Sequence, residues 1–216
     1  MWSRLRNLIA PRPAALPGVG GKWVLVPLGN PGDAYAASRH NLGRLLLQRW
    51  AAAREPAPRR LRALGTGSVY ELGDGLLALV PSTYMNHSGQ ACTEGVAAGL
   101  DPGRMIVLHD DKDLPLGLGR FRLSGGDAGH NGLASVIEHL GTQDVARLKL
   151  GIGPFQRPLH EFVLGEWTEE EWARIEGLDA AFARFLELLA GTGTLGGLPG
   201  AVNAAAFWTP PSREKP

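Results

Sequence analysis

The sequence predicts a single-domain α/β protein with a mixed, mainly parallel twisted sheet flanked by helices, which is a three-layer α/β/α fold. Two observations carry this prediction. Apolar strand-like segments alternate with helical segments along the chain, and several of the strand segments end in polar residues. The first of them, Val24–Leu28, is apolar without alternation, which is typical of a parallel strand covered on both faces. In an open sheet of this kind, ligands bind where the strands end.

Length and composition fit one soluble domain. The 216 residues are enough to bury about 70% of the unfolded surface in one core. No apolar run approaches the roughly 20 residues of a membrane helix, so we expect no membrane partner. The lone Cys92 cannot pair within the chain, and we expect a buried, inert thiol in a cytoplasmic protein. Because the net charge is only +1, a nucleic-acid partner has to be met by a local basic patch.

The chain divides into three parts by composition. We predict a flexible basic N-terminal extension over 1–21, a catalytic domain over 22–208 and a short C-terminal tail over 209–216. The extension carries Arg4, Arg6 and Arg12 without an acidic residue, and it lacks the apolar core of a secretory signal. We favour a disordered tail that can touch nucleic acid over the alternative of a transit peptide.

The first half of the chain begins with the strand Val24–Leu28, and glycine, proline and asparagine mark its turns. After that strand we predict the turn Gly29–Gly32 and then a helix that begins at His40 and has apolar residues at helical spacing. An exposed basic loop over Arg54–Arg62 follows. We then predict a hairpin of the strands Ser68–Leu72 and Leu76–Val80, and the helix Ser88–Leu100.

The second half continues the alternation of strands and helices. We predict the buried strand Met105–Leu108, the half-exposed strand Leu118–Leu123, a helix from His130 to about Leu140, the strand Arg147–Ile152, and a last helix over Glu169–Ala190. Thr168 and Glu171 have the spacing of a capping box at the start of this last helix.

Polar residues that can do chemistry gather at these strand ends and helix starts, whereas several familiar site motifs are missing. The sequence lacks the Gly-x-Ser-x-Gly of serine hydrolases and the glycine-rich loops that bind nucleotide phosphates. His109, Asp110, Asp111 and Asp113 have neither zinc nor calcium-loop spacing, so we expect no metal and no other cofactor. What remains is a histidine base, a carboxylate that orients it, and carboxamides that bind a polar substrate.

Five ordered segments of the sequence carry a family resemblance. They read L-G-N-P-G-x-x-Y-x-x-S-R-H-N at 28–41, P-S-T-Y-M-N-H-S-G at 81–89, H-D-D-K-D-L-P-L-G at 109–117, G-H-N-G-L at 129–133 and L-G-I-G at 150–153. With these segments the chain resembles bacterial-type peptidyl-tRNA hydrolase. The resemblance implies hydrolysis of the ester between a stalled peptide and its tRNA, with neither a metal nor a covalent intermediate. It also implies peptidyl-tRNA as the partner, and we expect a monomer.

The resemblance assigns a role to each matching residue. His40 falls on the catalytic base and Asp110 on the carboxylate that orients it. The residues matched to binding of the peptide and the tRNA end are Asn30, Met85, Asn86 and Asn131, with Tyr35 stopping the terminal nucleotide and His130 as a further site histidine. Arg120 and Arg122 share one face of a strand, and Lys149 on a neighbouring strand joins them as a clamp for backbone phosphates.

The chain departs from the family pattern in its glycine loop, where Asp127-Ala128 replaces the usual His-Gly. We expect Asp127 to cap the helix that begins near His130 and to repel phosphates slightly. Two other functions stay open on the sequence alone. One is a catalytically weakened relative that acts as an RNA-binding module, and the other is a general esterase without a tRNA partner. The intact His40 and Asp110 argue against the first, and the basic strand argues against the second.

Overall fold

One sheet forms the middle layer of the fold. The computed structural model describes residues 14–155 and 158–209. In chain order, its strands are β1 Trp23–Pro27, β2 Arg59–Ala63, β3 Gly67–Gly73, β4 Leu76–Pro81, β5 Met105–Pro115, β6 Gly119–Arg122 and β7 Ala146–Gly153. The helices are α1 Leu42–Ala52, α2 Ser88–Ala97, α3 Asn131–Leu140, α4 Leu159–Leu164, α5 Glu169–Ala190, α6 Leu198–Val202 and α7 Ala205–Trp208.

The strand order across the sheet is β2-β3-β4-β1-β5-β7-β6. The central strands β4, β1, β5 and β7 run parallel, and β2, β3 and β6 join antiparallel at the two edges. The predicted mixed, three-layer fold is confirmed, but the sheet is not mainly parallel, because among the described strands the three parallel pairs at its centre are matched by three antiparallel pairs toward its edges. The carboxyl ends of the central strands therefore meet at one edge of the sheet, which is where ligands bind in open α/β folds.

Each face of the sheet has its own apolar core. Trp23 and Leu25 of β1 point to the side covered by α1 and α5, and Val24 and Val26 point to the side covered by α2 and α3. Both layers are thus buried along the same strand, which explains why Val24–Leu28 shows no polar alternation. Cys92 lies fully buried in α2, so the predicted burial of this thiol is confirmed, and burial raises its pKa to about 12.

Several segments differ from the sequence prediction. The predicted basic loop over Arg54–Arg62 is wrong in its second half, because Arg59–Ala63 forms the edge strand β2. Charged side chains are tolerated there, since an edge strand has one side open to water. We also did not predict the short helices α4, α6 and α7, whose six, five and four residues are too few to show a helical repeat.

The strand that carries Asp110 is longer than expected, since β5 continues through Pro115 instead of ending at Leu108. The last helix begins and ends as predicted, and Thr168 and Glu171 form both hydrogen bonds of the capping box. None of the helices in the described part of the chain is long and apolar enough to cross a membrane.

The folded part begins before residue 22. Leu16 and Val19, which we had placed in the flexible extension, are buried in the core on the α2 side, and the Leu16 amide donates to the Ala98 carbonyl at 2.8 Å. The prediction of a flexible segment is therefore wrong for 14–21. Its basic part over 1–13 lies outside the described residues, as do 210–216 of the predicted tail.

Candidate active site

A cleft of about 570 Å³ opens at the carboxyl edge of the sheet. It is lined by residues from separate loops and strands, including Asn30, His40, Met85, Asn86, Asp110, His130, Asn131 and Lys149. Thus eight of the eleven predicted site residues meet in one place. Leu159, Val163 and Leu164 of α4 supply an apolar wall that sequence reasoning missed.

A short 3₁₀ turn over Arg39–Asn41 brings His40 to the cleft, directly before α1. The start of α1 lies unusually close to β5, since a Cβ atom added at Gly43 would lie 2.6 Å from the Leu108 carbonyl oxygen. Only glycine permits this approach of helix to strand. The close packing sets His40 beside Asp110, two residues after Leu108.

His40 and Asp110 form a hydrogen-bonded pair. The Nδ1 atom of His40 lies 2.7 Å from Oδ1 of Asp110, and their side chains are 12% and 3% exposed. Because an ionised carboxylate only accepts, Nδ1 carries the proton and Nε2 keeps its lone pair. Nε2 has no hydrogen-bond partner among the described residues, so the basic nitrogen is free to meet a ligand in the cleft.

His130, the residue directly before α3, approaches the same carboxylate oxygen. Its Nε2 lies 3.0 Å from Oδ1 of Asp110, and its Nδ1 accepts the Leu133 amide at 3.1 Å as the N-cap of the helix. The accepted amide leaves the ring proton on Nε2, so His130 donates to Asp110. Asp110 is thereby held between two imidazoles whose ring centres are 4.8 Å apart.

The charges of this group follow from burial and pairing. Burial alone would raise the pKa of Asp110, but His130 and His40 outweigh that effect and hold it well below its ordinary value. Asp110 is therefore ionised at neutral pH. Burial lowers the pKa of the neighbouring His109 to about 3, and a protonated His130 would lower it further by repulsion, so His109 is neutral at neutral pH. Its Nδ1 donates to the Asp110 carbonyl at 2.8 Å.

The asparagine after the histidine holds the loop that carries Asn30. Oδ1 of Asn41 accepts the Asn30 amide at 2.8 Å, and its Nδ2 donates to the Asn30 carbonyl at 2.9 Å. Oδ1 of Asn30 in turn accepts the Met85 amide at 2.8 Å, which leaves its own Nδ2 as a donor for a ligand. Sequence reasoning did not single out Asn41, although its position beside His40 was a usable signal.

The other predicted binding residues differ in their placement. Asn86 and Asn131 are exposed side chains at the rim of the cleft. Tyr35 is not among the residues that line it. Its half-buried ring packs edge to face on Tyr84 with centres 6.5 Å apart, and Tyr84 itself is 59% exposed.

Of the three residues of the predicted basic clamp, Arg120 and Arg122 are exposed, whereas Lys149 is already paired with a carboxylate. Arg120 and Arg122 are exposed on β6 and lie opposite Lys149 and Arg147 of β7. Lys149 reaches the cleft but forms an ion pair of 2.5 Å with Asp111. An anion at Lys149 therefore has to compete with that carboxylate.

The glycine loop before α3 is tied down by a buried arginine. Arg147 is 1% exposed and donates to the carbonyl oxygens of Gly125 and Gly126 at 2.6 and 2.9 Å. Our prediction that Asp127 caps α3 is wrong, because His130 is the cap. Asp127 instead accepts the Gly129 amide at 2.7 Å and closes a turn within the loop.

His40, Asp110 and His130 also form the only group of potential metal ligands among the described residues, with ligand atoms within 4.8 Å of one another. A metal on Nε2 of His130 would require the proton to move to Nδ1, which now accepts the Leu133 amide. The hydrogen-bonded state uses all three side chains as they stand. An ionised carboxylate that orients an imidazole at a cleft is the arrangement found in hydrolases in which a histidine acts as general base, and no serine or cysteine in the described ranges lines this cleft, so the arrangement fits activation of water.

Comparison with known proteins identifies the family. Its model, described as peptidyl-tRNA hydrolase, matches residues 24–203. The peptidyl-tRNA hydrolase of Methylocella silvestris is 43% identical over 171 residues, covering 77% of this chain and 87% of that protein. That of Thermotoga petrophila is 39% identical over 180 residues, covering 79% and 92%. The crystal structure of peptidyl-tRNA hydrolase from Acinetobacter baumannii superposes with a TM-score of 0.75 at 28% identity, covering 88% and 97%. The chain belongs to the peptidyl-tRNA hydrolase family.

Proposed function

We propose that this chain hydrolyses the ester that joins a peptide, or an N-blocked aminoacyl group, to the 3′ ribose of tRNA, with His40 as the general base. Membership of the family supplies the substrate class. The observation that carries the chemistry is the 2.7 Å bond between Nδ1 of His40 and Asp110, because it leaves the lone pair of Nε2 for a water molecule in the cleft.

The proposed reaction proceeds by direct attack of water. Nε2 of His40 takes a proton as the water oxygen adds to the ester carbonyl carbon. The buried Asp110 stabilises the imidazolium that forms, and the donor from His130 keeps the carboxylate in place. The imidazolium then returns the proton to the ribose oxygen as the carbon–oxygen bond breaks. The products are a peptide carboxylic acid and a tRNA with a free 3′ hydroxyl.

Neutral amides suit the binding of the two substrate ends. Nδ2 of Asn30 is oriented as a donor by the bond from Met85, and Asn86 and Asn131 flank it at the rim. Such donors bind ester and peptide carbonyls and stabilise the developing oxyanion without adding charge. We assign the phosphates to Arg120, Arg122 and Lys149, and the acyl group to the apolar wall of α4.

The test is deacylation of an N-acetylaminoacyl-tRNA by the purified protein. We expect turnover that is insensitive to EDTA, since the proposed mechanism uses no metal. Tight tRNA binding without turnover would support the RNA-binding alternative. Equal turnover of a simple ester that lacks RNA would support the general esterase.

We further propose that the protein acts as a monomer in the cytoplasm. The free Cys92 is compatible with a reducing compartment, because its thiol is buried and needs no partner. Light scattering during size-exclusion chromatography measures the first point. A mass twice that of the chain would contradict it.

A further inference from the structure

Helix α4 walls one end of the cleft, yet none of its side chains is fully buried. Leu159 and Leu164 are 40% and 39% exposed, and Phe162 and Val163 are half-buried. A six-residue helix is too short to be stable by its own hydrogen bonds. Its position over the cleft therefore depends on contacts with the body of the protein.

Arg39 supplies a dense set of these contacts. Its backbone amide donates to the Gly165 carbonyl at 3.2 Å, and its Nη1 donates to the Glu166 carbonyl at 2.6 Å. Its guanidinium lies over the rings of Phe162 and Trp167, at 4.9 and 5.0 Å from their centres. The side chain thus holds the segment at the end of α4 by one hydrogen bond and by stacking, which a planar guanidinium can do together, and the backbone amide adds a second hydrogen bond.

The same side chain is paired with the helix that follows. Nη2 of Arg39 donates to Oε2 of Glu171 at 2.7 Å, and this oxygen also accepts the Thr168 amide in the capping box of α5. Arg39 is 8% exposed, so its charge is buried and paired. A residue directly before His40 is therefore fixed to the rigid start of the long helix.

We propose that Arg39 is a positioning residue that holds α4 over the cleft and so decides how well large acyl groups bind. This inference rests on the proposed function. The apolar side chains of α4 suit the side chain of the aminoacyl group, whereas the cations assigned to the phosphates belong to other elements, the strands β6 and β7. If α4 loosens, a large apolar side chain loses its wall, and a glycyl group, which has no side chain to place there, loses little.

The test compares two substrates that share one tRNA, charged with N-acetylglycine or N-acetylphenylalanine. We expect Arg39→Met to raise the KM for the phenylalanyl substrate relative to the glycyl substrate by roughly tenfold, the low end for a lost apolar pocket contact. The pH dependence of kcat should keep its midpoint, because the pair of His40 and Asp110 is not changed.

The matched control is Arg49→Met, which removes an arginine of α1 that pairs with Asp179 of α5 without touching α4. It should leave the ratio of the two KM values as in the wild type. If Arg39→Met does not fold, Arg39→Lys takes its place, because lysine keeps the charge but lacks the planar guanidinium. We then expect the ratio of the two KM values to change in the same direction by a smaller factor.

An unchanged ratio in a folded Arg39 variant would overturn the inference while the wild-type turnover stands. A shifted midpoint of the kcat profile would also overturn it, because Arg39 would then act through His40. A wild-type protein that hydrolyses neither substrate would contradict the proposed function and this inference with it.

Discussion

At the scale of single residues, the site depends on which nitrogen of each histidine carries the proton. Asp110 orients His40 through Nδ1, and the Leu133 amide sets the opposite tautomer in His130. One ring is thus a base toward the cleft and the other a donor toward the carboxylate. The two side chains are chemically identical, but different hydrogen-bond partners fix the proton on Nδ1 in His40 and on Nε2 in His130.

The first prediction tests this pair. His40→Ala should lower kcat by at least about 100-fold, the low end for a positioned general base. Asp110→Asn should lower it by up to about 10⁴-fold, because the amide no longer sets the tautomer. Single-turnover deacylation measures both. Asp179→Asn, which removes a carboxylate that pairs with Arg49 and does not line the cleft, is the control, and near-normal turnover in either test variant would refute the mechanism.

The second prediction concerns His109 and acid stability. Its pKa is about 3 in the folded state and about 6.5 in an unfolded chain, so the unfolded state binds a proton over that window that the folded state does not. Its contribution is complete above pH 6.5 and is lost as the pH falls, at up to about 1.4 kcal/mol per pH unit.

Urea unfolding between pH 6.5 and 5.0 measures this slope, because Asp110 with its ordinary pKa of 3.8 stays largely ionised there even in the unfolded chain. His109→Asn should make the dependence of the unfolding free energy on pH less steep. The charged and titratable groups around position 109, which are His130, Asp110 and Lys149, remain in the variant. A slope equal to that of the wild type would mean that His109 is not the group that resists protonation.

At the scale of elements, the turn over Arg39–Asn41 directs three consecutive side chains to three anchors. Arg39 meets the junction of α4 and α5, His40 meets β5, and Asn41 meets the loop after β1. A tight turn can do this because successive residues in it point in different directions. The base is therefore positioned by its neighbours on both sides.

The third prediction belongs to β6. Arg122→Glu should raise the KM for full-length tRNA and lower the slope of its salt dependence by about 1, because one phosphate contact is lost. A short peptidyl-nucleotide should be spared. The matched control is Arg60→Glu, an exposed arginine on the edge strand β2 at the other side of the sheet. Equal effects of the two variants, or equal damage to both substrates, would contradict the clamp.

At the scale of the whole molecule, two apolar cores share one sheet, and the segment over 14–21 completes one of them. Leu16 lies against the end of α2 with 7% of its surface exposed. The fourth prediction is that Leu16→Ala lowers the free energy of unfolding by about 2 kcal/mol, as for a buried leucine at a core margin. Thermal and urea unfolding measure this. Leu188→Ala, at a site 42% exposed, is the control and should change little.

Much of the fold and part of the site could be predicted because their signals are local. The apolar run of Val24–Leu28 and the capping box of Thr168 and Glu171 each depend on a few adjacent residues, and both elements were found with nearly the right bounds. Asp110 and His40 could be paired before the structure because the family motif carries both.

The sequence by itself determined the α/β class, the central strands, the long last helix and the residue types of the site, since periodicity and motif spacing act over short stretches of chain. Only the tertiary structure decided that His130 and His40 both bind Asp110 and that Lys149 forms an ion pair with Asp111. It also decided that Leu16 belongs to the core and that Arg39 contacts the end of α4. Each of these contacts joins residues far apart in the chain or gives a common side chain one specific partner. Such choices depend on distances of a few ångströms between packed elements, which local sequence does not encode.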